Sequence, residues 1–291
     1  MPGRLAVTYC QGCEESPISG TPKPGYPYLA AYTPKHTTAM SSPDHVQTKR
    51  PVRPRYFYTG AAVLLFVLMF VGFQLFYLQG KAYPGRPLTP PIRTVVILHG
   101  ISMTAWMILF LVQPLLIEAG NRRLHMTLGK IGAALAALVV VFGVGVALGS
   151  ARVNPPEMLL WGLNPRQFMA VPLVSMVVFA VLVSLGIWYR MQPGIHRPMM
   201  LLSVLAVMPA ALDRVDVIRN SYAGTVWGTL FGPFFASLVI GVLLLVLKTL
   251  LLRKVDRTFA VGLAVLSVIS LLIMQVAPTP LWAGIASMLL G

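Results

Sequence analysis

Acidic side chains are scarce in this chain: its 291 residues carry eight Asp and Glu against 23 Lys and Arg, and charged residues of both signs make up only 11%. With 56% hydrophobic residues and a mean hydropathy of +0.75, that shortage excludes an ordinary soluble domain, in which about a quarter of residues are charged. The net charge of +15 is not a nucleic-acid footprint, because the basic residues stand in short segments between apolar runs and gather on no single face. Cysteine is nearly missing. Cys10 and Cys13 are the only two, both in a polar amino-terminal stretch, so no disulfide framework follows. As a Cys-x-x-Cys pair they lack the further ligands of tetrahedral zinc and the helix start on which a redox pair usually sits. Phosphate-cradling glycine loops, nucleophile elbows, His-Glu-x-x-His and doubled Cys-x-x-Cys spacings are absent too, which leaves hydrolase and nucleotide-driven chemistry without a carrier. No short apolar region near the start ends in a small-residue cleavage site, so the first span is expected to act as the targeting signal.

What the chain has is long apolar runs. Residues 1–55, rich in Pro, Gly, Ser and Thr, read as a disordered basic cytoplasmic tail, and Met40 opens a shorter leader that is the expected translation start. Crossing about 30 Å of hydrocarbon takes about 20 helical residues. On that measure Phe57–Leu78, Val95–Ile117, Leu128–Gly149, Phe168–Tyr189, Val226–Leu247 and Phe259–Val276 are spans, and the shorter Pro198–Leu212, which runs into Asp213, is the weakest of seven. The expected fold is all-α: a seven-helix transmembrane bundle over residues 56–277, followed at 278–291 by an interfacial helix anchored by Trp282. Lys49, Arg50, Arg53, Arg55, Arg122, Arg123, Arg190, Arg197, Arg253, Lys254 and Arg257 fall at one set of span ends and fewer basic residues at the other, which places the amino terminus in the cytoplasm. Gly145-x-x-x-Gly149 and Gly228-x-x-x-Gly232-x-x-x-Ala236 read as close helix contacts.

Polar groups inside such spans are costly and mark candidate sites. His99 lies about 9 Å into the second span and shares a helical face with Ser102, Trp106 and Gln113, as a hydrogen-bonded core histidine, a proton relay or a ligand would. His125 and His196 each stand where a short cytoplasmic turn enters a span, hence at one depth. Two neutral imidazoles so placed are what a b-type haem requires; two interfacial histidines satisfied by headgroups or helix ends are the plainer alternative. On the opposite side Asp213 and Asp216 share a face near the level of His99. The three are a candidate cation or proton site, and an ion-pair network of the aspartates with Arg214 and Arg219 is the simpler reading. Glu118 is expected to pair with Arg122.

From about Tyr56 to the end, the succession His-Gly-x-x-Met-x-x-Trp (His99–Trp106), Arg-Arg-Leu-His-x-x-Leu-Gly (Arg122–Gly129) and Ile-His-Arg-Pro-Met-Met (Ile195–Met200) resembles a family of bacterial multi-pass membrane proteins. The resemblance implies an inner-membrane location and weight on His99, His125 and His196, but no reaction. A more distant likeness to membrane b-type cytochromes rests on helix-end histidines, of which three leave one unmatched. Three functions are therefore open: a haem-binding redox protein, a carrier or channel using His99, Gln113, Asp213 and Asp216, and a structural subunit of a membrane complex or homo-oligomer.

Overall fold

A computed structural model describes residues 56–88 and 90–291. The tail with Cys10, Cys13 and Met40 lies outside the described residues. The elements run α1 (Phe57–Gly72), α2 (Gln74–Gln79), a two-stranded hairpin of β1 (Lys81–Ala82) and β2 (Arg86–Pro87), α3 (Arg93–Glu118), α4 (Arg122–Val153), α5 (Pro165–Phe168), α6 (Ala170–Trp188), α7 (Pro193–Val207), α8 (Pro209–Leu212), α9 (Asp216–Asn220), α10 (Val226–Phe231), α11 (Phe234–Leu252), α12 (Arg257–Val276) and α13 (Pro280–Leu290). Six stretches are long and apolar enough to cross a bilayer: α3, α4, α5–α6, α7–α8, α11 and α12. Among them large apolar side chains point outward, such as Val141, Val177, Leu243 and Val261, each at least 60% exposed. A soluble protein would not leave such a belt bare, and a bilayer covers it. This is a multi-pass membrane protein.

The weakest expected span proves the most central. The stretch runs from Pro193 to Leu212, and 72% of it is buried, against 17% to 44% for the other five. It starts five residues earlier than its apolar run because Pro193 occupies the first helical turn, where a missing N–H costs nothing, so His196 and Arg197 belong to the helix and not to the turn before it. Leu201 to Val207 are all buried, and the Ser237 hydroxyl of α11 donates to the Leu205 carbonyl at 2.5 Å. At Pro209, which cannot donate to the preceding turn, α7 gives way to α8.

Two other expected spans are interrupted. The first is α1, of 16 residues, followed after Phe73 by α2; a side chain on Gly72 would collide with the backbone of Ala211, so glycine there lets α1 lie directly on α8. The sixth breaks at Gly232, whose φ of 51° and ψ of −135° suit glycine, with Pro233 next. The Gly228–Gly232–Ala236 stripe is therefore not one continuous helix face. Gly145 and Gly149 do lie on one: an added Cβ would come within 2.9 Å of Val95 and 2.8 Å of Ile92 on α3. The buried stripe of α4 continues this choice of small residues through Gly132, Ala136, Gly143, Ala147 and Ala151, which substitutes close backbone approach for the hydrophobic drive that lipid removes.

Two sequence expectations change. Trp282 is buried, with its indole N–H donating 2.9 Å to the Arg166 carbonyl, so it pins α13 to the protein and does not serve as a bilayer anchor. Glu118 accepts a hydrogen bond from Thr59 on α1 at 2.6 Å in place of the expected pair with Arg122. Among the described residues there are two ion pairs, Arg219–Asp216 and Lys248–Asp256.

Candidate functional site

Two helix starts build the histidine site. The Asn121 side chain accepts from Leu124 N–H at 3.1 Å and caps α4, so that His125 donates the first backbone bond of that helix, to Asn121 at 3.1 Å. His196 holds the same place in α7, its N–H bonded to the Gln192 carbonyl at 2.9 Å. Equal rank in two parallel first turns is why the histidines share a depth. The fold also brings them together: their ring centres are 6.3 Å apart, with the planes at 85°. Both rings are half-buried, and Arg122, Arg123 and Arg197 are exposed around them.

The outer nitrogens of the pair are tied down. His196 Nδ1 lies 2.8 Å from the Gly186 carbonyl of α6, and His125 Nδ1 lies 3.4 Å from the Gln113 carbonyl of α3. A carbonyl only accepts, so the His196 contact selects the tautomer with a proton on Nδ1 and a lone pair on Nε2, whereas the longer His125 contact does so only while the Gln113 amide nitrogen is turned away. Gln113 adds a second control. With its amide oxygen toward His125 Nδ1 it accepts that proton; with the nitrogen there it donates to Nδ1 and to the His125 carbonyl at 3.3 Å, while its oxygen takes Gly129 N–H at 3.1 Å. The two amide orientations match the two tautomers.

His99 sits elsewhere. The stripe it begins does face the bundle, since Ser102 and Trp106 are buried and Trp106 packs edge-on against Phe179 of α6 at 5.1 Å. Nδ1 of His99 is buried without a hydrogen-bond partner, and the ring lines a small cavity otherwise walled by apolar and thioether side chains. No group of three or more His, Cys, Asp or Glu side chains converges on a common point among the described residues. Asp213 instead accepts from the Trp161 indole at 2.8 Å, and Asp216 from the Tyr83 phenol at 2.6 Å and from Arg219 at 3.1 Å. Burial pushes the Asp213 carboxyl above its ordinary range, against the opposing pull of Trp161, Arg214 and Arg219. Tyr222, stacked on Trp161 at 5.3 Å, is pushed up to about 12, first by burial and then by the nearby Asp213. Among the described residues Arg214 takes no part in an ion pair: it donates to the Ala210 carbonyl and lies 4.8 Å over the Phe73 ring.

A further polar centre escaped the sequence reading. Lys248, 5% exposed near the end of α11, donates to Asp256 and to the Tyr58 phenol and lies 4.6 Å over the Tyr58 ring. Asp256 also caps α12 through Phe259 N–H at 3.0 Å. The signal was the lone lysine directly after an apolar run, opposite an Asp at i+8 across a tight turn. No protein-family model, curated protein or solved structure matches this chain.

Proposed function

We propose that this protein is a b-type haem-binding redox protein with seven spans, α1 and α2 together making the first, in a bacterial inner membrane with its amino terminus in the cytoplasm. The carrying observation is the pairing of His125 with His196. Two imidazoles that held one iron between them, each through a nitrogen about 2 Å away, would have ring centres about 6 Å apart, and the rings of His125 and His196 are separated by 6.3 Å. The donor chemistry fits at His196, whose Nδ1 is engaged by the Gly186 carbonyl, which directs binding to Nε2 and orients the ring, as the outer partners of metal-bound histidines do; His125 offers Nε2 in the Gln113 orientation whose amide oxygen takes the Nδ1 proton.

A haem bound there supplies one-electron chemistry at the cytoplasmic end of the bundle. The chain's own part would be to hold Nε2 of His196 unprotonated, to set the His125 tautomer through the Gln113 amide, to keep the rings from turning through the Gln113 and Gly186 carbonyls, and to meet anionic propionates with Arg122, Arg123 or Arg197. The excess of basic residues in the inner turns supports the orientation. A carrier for organic solutes has less support: the cavity beside His99 has a volume of about 50 Å³, whereas pockets for such molecules run to about 300–1,000 Å³.

The test is the visible spectrum of protein purified in mild detergent from haem-replete cells, before and after dithionite. The expected result is a Soret band with a reducible α-band, lost in His125→Ala and in His196→Ala. Colourless wild-type protein, or colour kept in both variants, overturns the proposal.

A further inference from the structure

The cavity beside His99 has an unusual wall. Five methionines line it, Met69, Met103, Met107, Met176 and Met208, together with the His99 ring. They come from α1, α3, α6 and the α7–α8 joint, so the thioethers converge from four separate parts of the bundle. His99, Met103 and Met107 follow at i, i+4 and i+8 on one face of α3, each about a turn above the last. Met176 closes from α6, and α4 leaves room for it: an added Cβ on Gly143 would collide with the Met176 sulfur and lie 3.1 Å from His99 Cε1. The sulfur and the imidazole thus rest against the same glycine. Among the described residues only Met69 of these sulfurs accepts a hydrogen bond, from the Tyr77 hydroxyl at 3.9 Å, and buried His99 Nδ1 has no hydrogen-bond partner.

We propose that this cavity is a soft-metal site for a single Cu(I) ion, with the His99 imidazole and the Met103 and Met176 thioethers as its principal ligands. Thioether sulfur and imidazole nitrogen are neutral, polarisable donors that select monovalent copper over hard cations, and no carboxylate lines the cavity. Size agrees, since about 50 Å³ accommodates an ion among its ligands and no organic molecule. The Arg214 guanidinium, 4.8 Å over the Phe73 ring that forms part of the same wall, opposes any cation there and a divalent ion about twice as much as a monovalent one, which leaves the monovalent ion as the better fit. An unpartnered buried imidazole nitrogen is costly in a bilayer, and a cation bound at Nδ1 satisfies it. Nothing here rests on haem at His125 and His196, which belong to a different site.

Purified full-length protein in detergent is titrated with Cu(I), kept reduced by ascorbate, against the chelator bicinchoninate. Wild type is expected to take one Cu(I) per chain, with both sulfur and nitrogen scatterers at the copper X-ray absorption edge. The double variant Met103→Leu/Met176→Leu keeps volume and apolarity, and it is expected to bind at least tenfold more weakly with a wild-type melting curve. His99→Gln is expected to lose the nitrogen scatterer, whereas His125→Ala and His196→Ala keep copper, which separates this outcome from the fate of the haem reading. Less than a tenth of a copper per chain in wild type overturns the proposal. So does undiminished binding by the Met103→Leu/Met176→Leu protein, because copper would then sit on other methionines.

Discussion

Replacing Asp256 with Asn isolates one electrostatic term. Asn caps a helix about as well as Asp, so the bond from Phe259 N–H to position 256 survives while the carboxylate charge facing Lys248 is lost. Lys248 is 5% exposed and cannot simply turn to water. Removing one member of a buried pair costs roughly 3–5 kcal/mol, because the remaining charge is left uncompensated. The Tyr58 hydroxyl and the faces of Phe57 and Tyr58, at 5.5 and 4.6 Å, stay with the ammonium and offset about 1–2 kcal/mol of that cost. The expected net loss is about 1–4 kcal/mol. Removing both charges with Lys248→Met/Asp256→Asn should restore most of it, since a buried pair and an apolar substitute of similar volume differ little. The assay is a double-mutant cycle on the helical circular-dichroism transition during SDS-induced unfolding in mixed micelles. A loss below about 0.5 kcal/mol for Asp256→Asn, or no coupling in the cycle, would refute the reasoning and mean that Lys248 reaches the interface by snorkelling.

Two further predictions test the outer end and the packing. Because the Asp213 carboxyl is raised in the folded protein, the native state holds its proton more tightly than the unfolded chain; that contribution is full below the ordinary carboxylate pKa and is lost as pH rises through the raised one. Asp213→Asn, which can still accept from Trp161, should therefore match wild type in melting temperature at low pH and exceed it at pH 7, and a variant less stable at pH 7 would contradict the assignment. Gly145→Ala places a methyl within 2.9 Å of Val95 and should cost about 1–3 kcal/mol, whereas Gly60→Ala on α1, with nothing within 4 Å, should be neutral or stabilising; equal melting shifts would sink the close-contact account.

The apolar runs made the bundle legible because span length and hydropathy are local properties. The depth of His125 and His196 was local as well, since each follows directly from a turn. Their adjacency was not, for it depends on how α4, α6 and α7 pack, and the motifs around the histidines say nothing of that. Pro198–Leu212 looked short because His196 and Arg197 were read as loop; a central helix whose first turn lies at the bundle end can carry both. The copper-like cavity had no local trace at all. Its methionines stand at 69, 103, 107, 176 and 208, and fifteen methionines in the chain make any one of them unremarked. Trp282 misled for a related reason, because a tryptophan near an apolar helix start reads alike whether lipid or protein covers it.

The paired first-turn histidines also have a mechanical side. The helical stretch Pro193–Leu212 has 20 residues and so is about 30 Å long, and a tilt of about 5° about its outer end displaces His196 by roughly 2.5 Å. That displacement is comparable to a metal–nitrogen bond, so a group gripped between the two rings is a strut that sets the splay of α7 against α4. Filling or emptying it would be felt along the most buried helix of the bundle as far as the α8 turn at Pro209, roughly three and a half helical turns away.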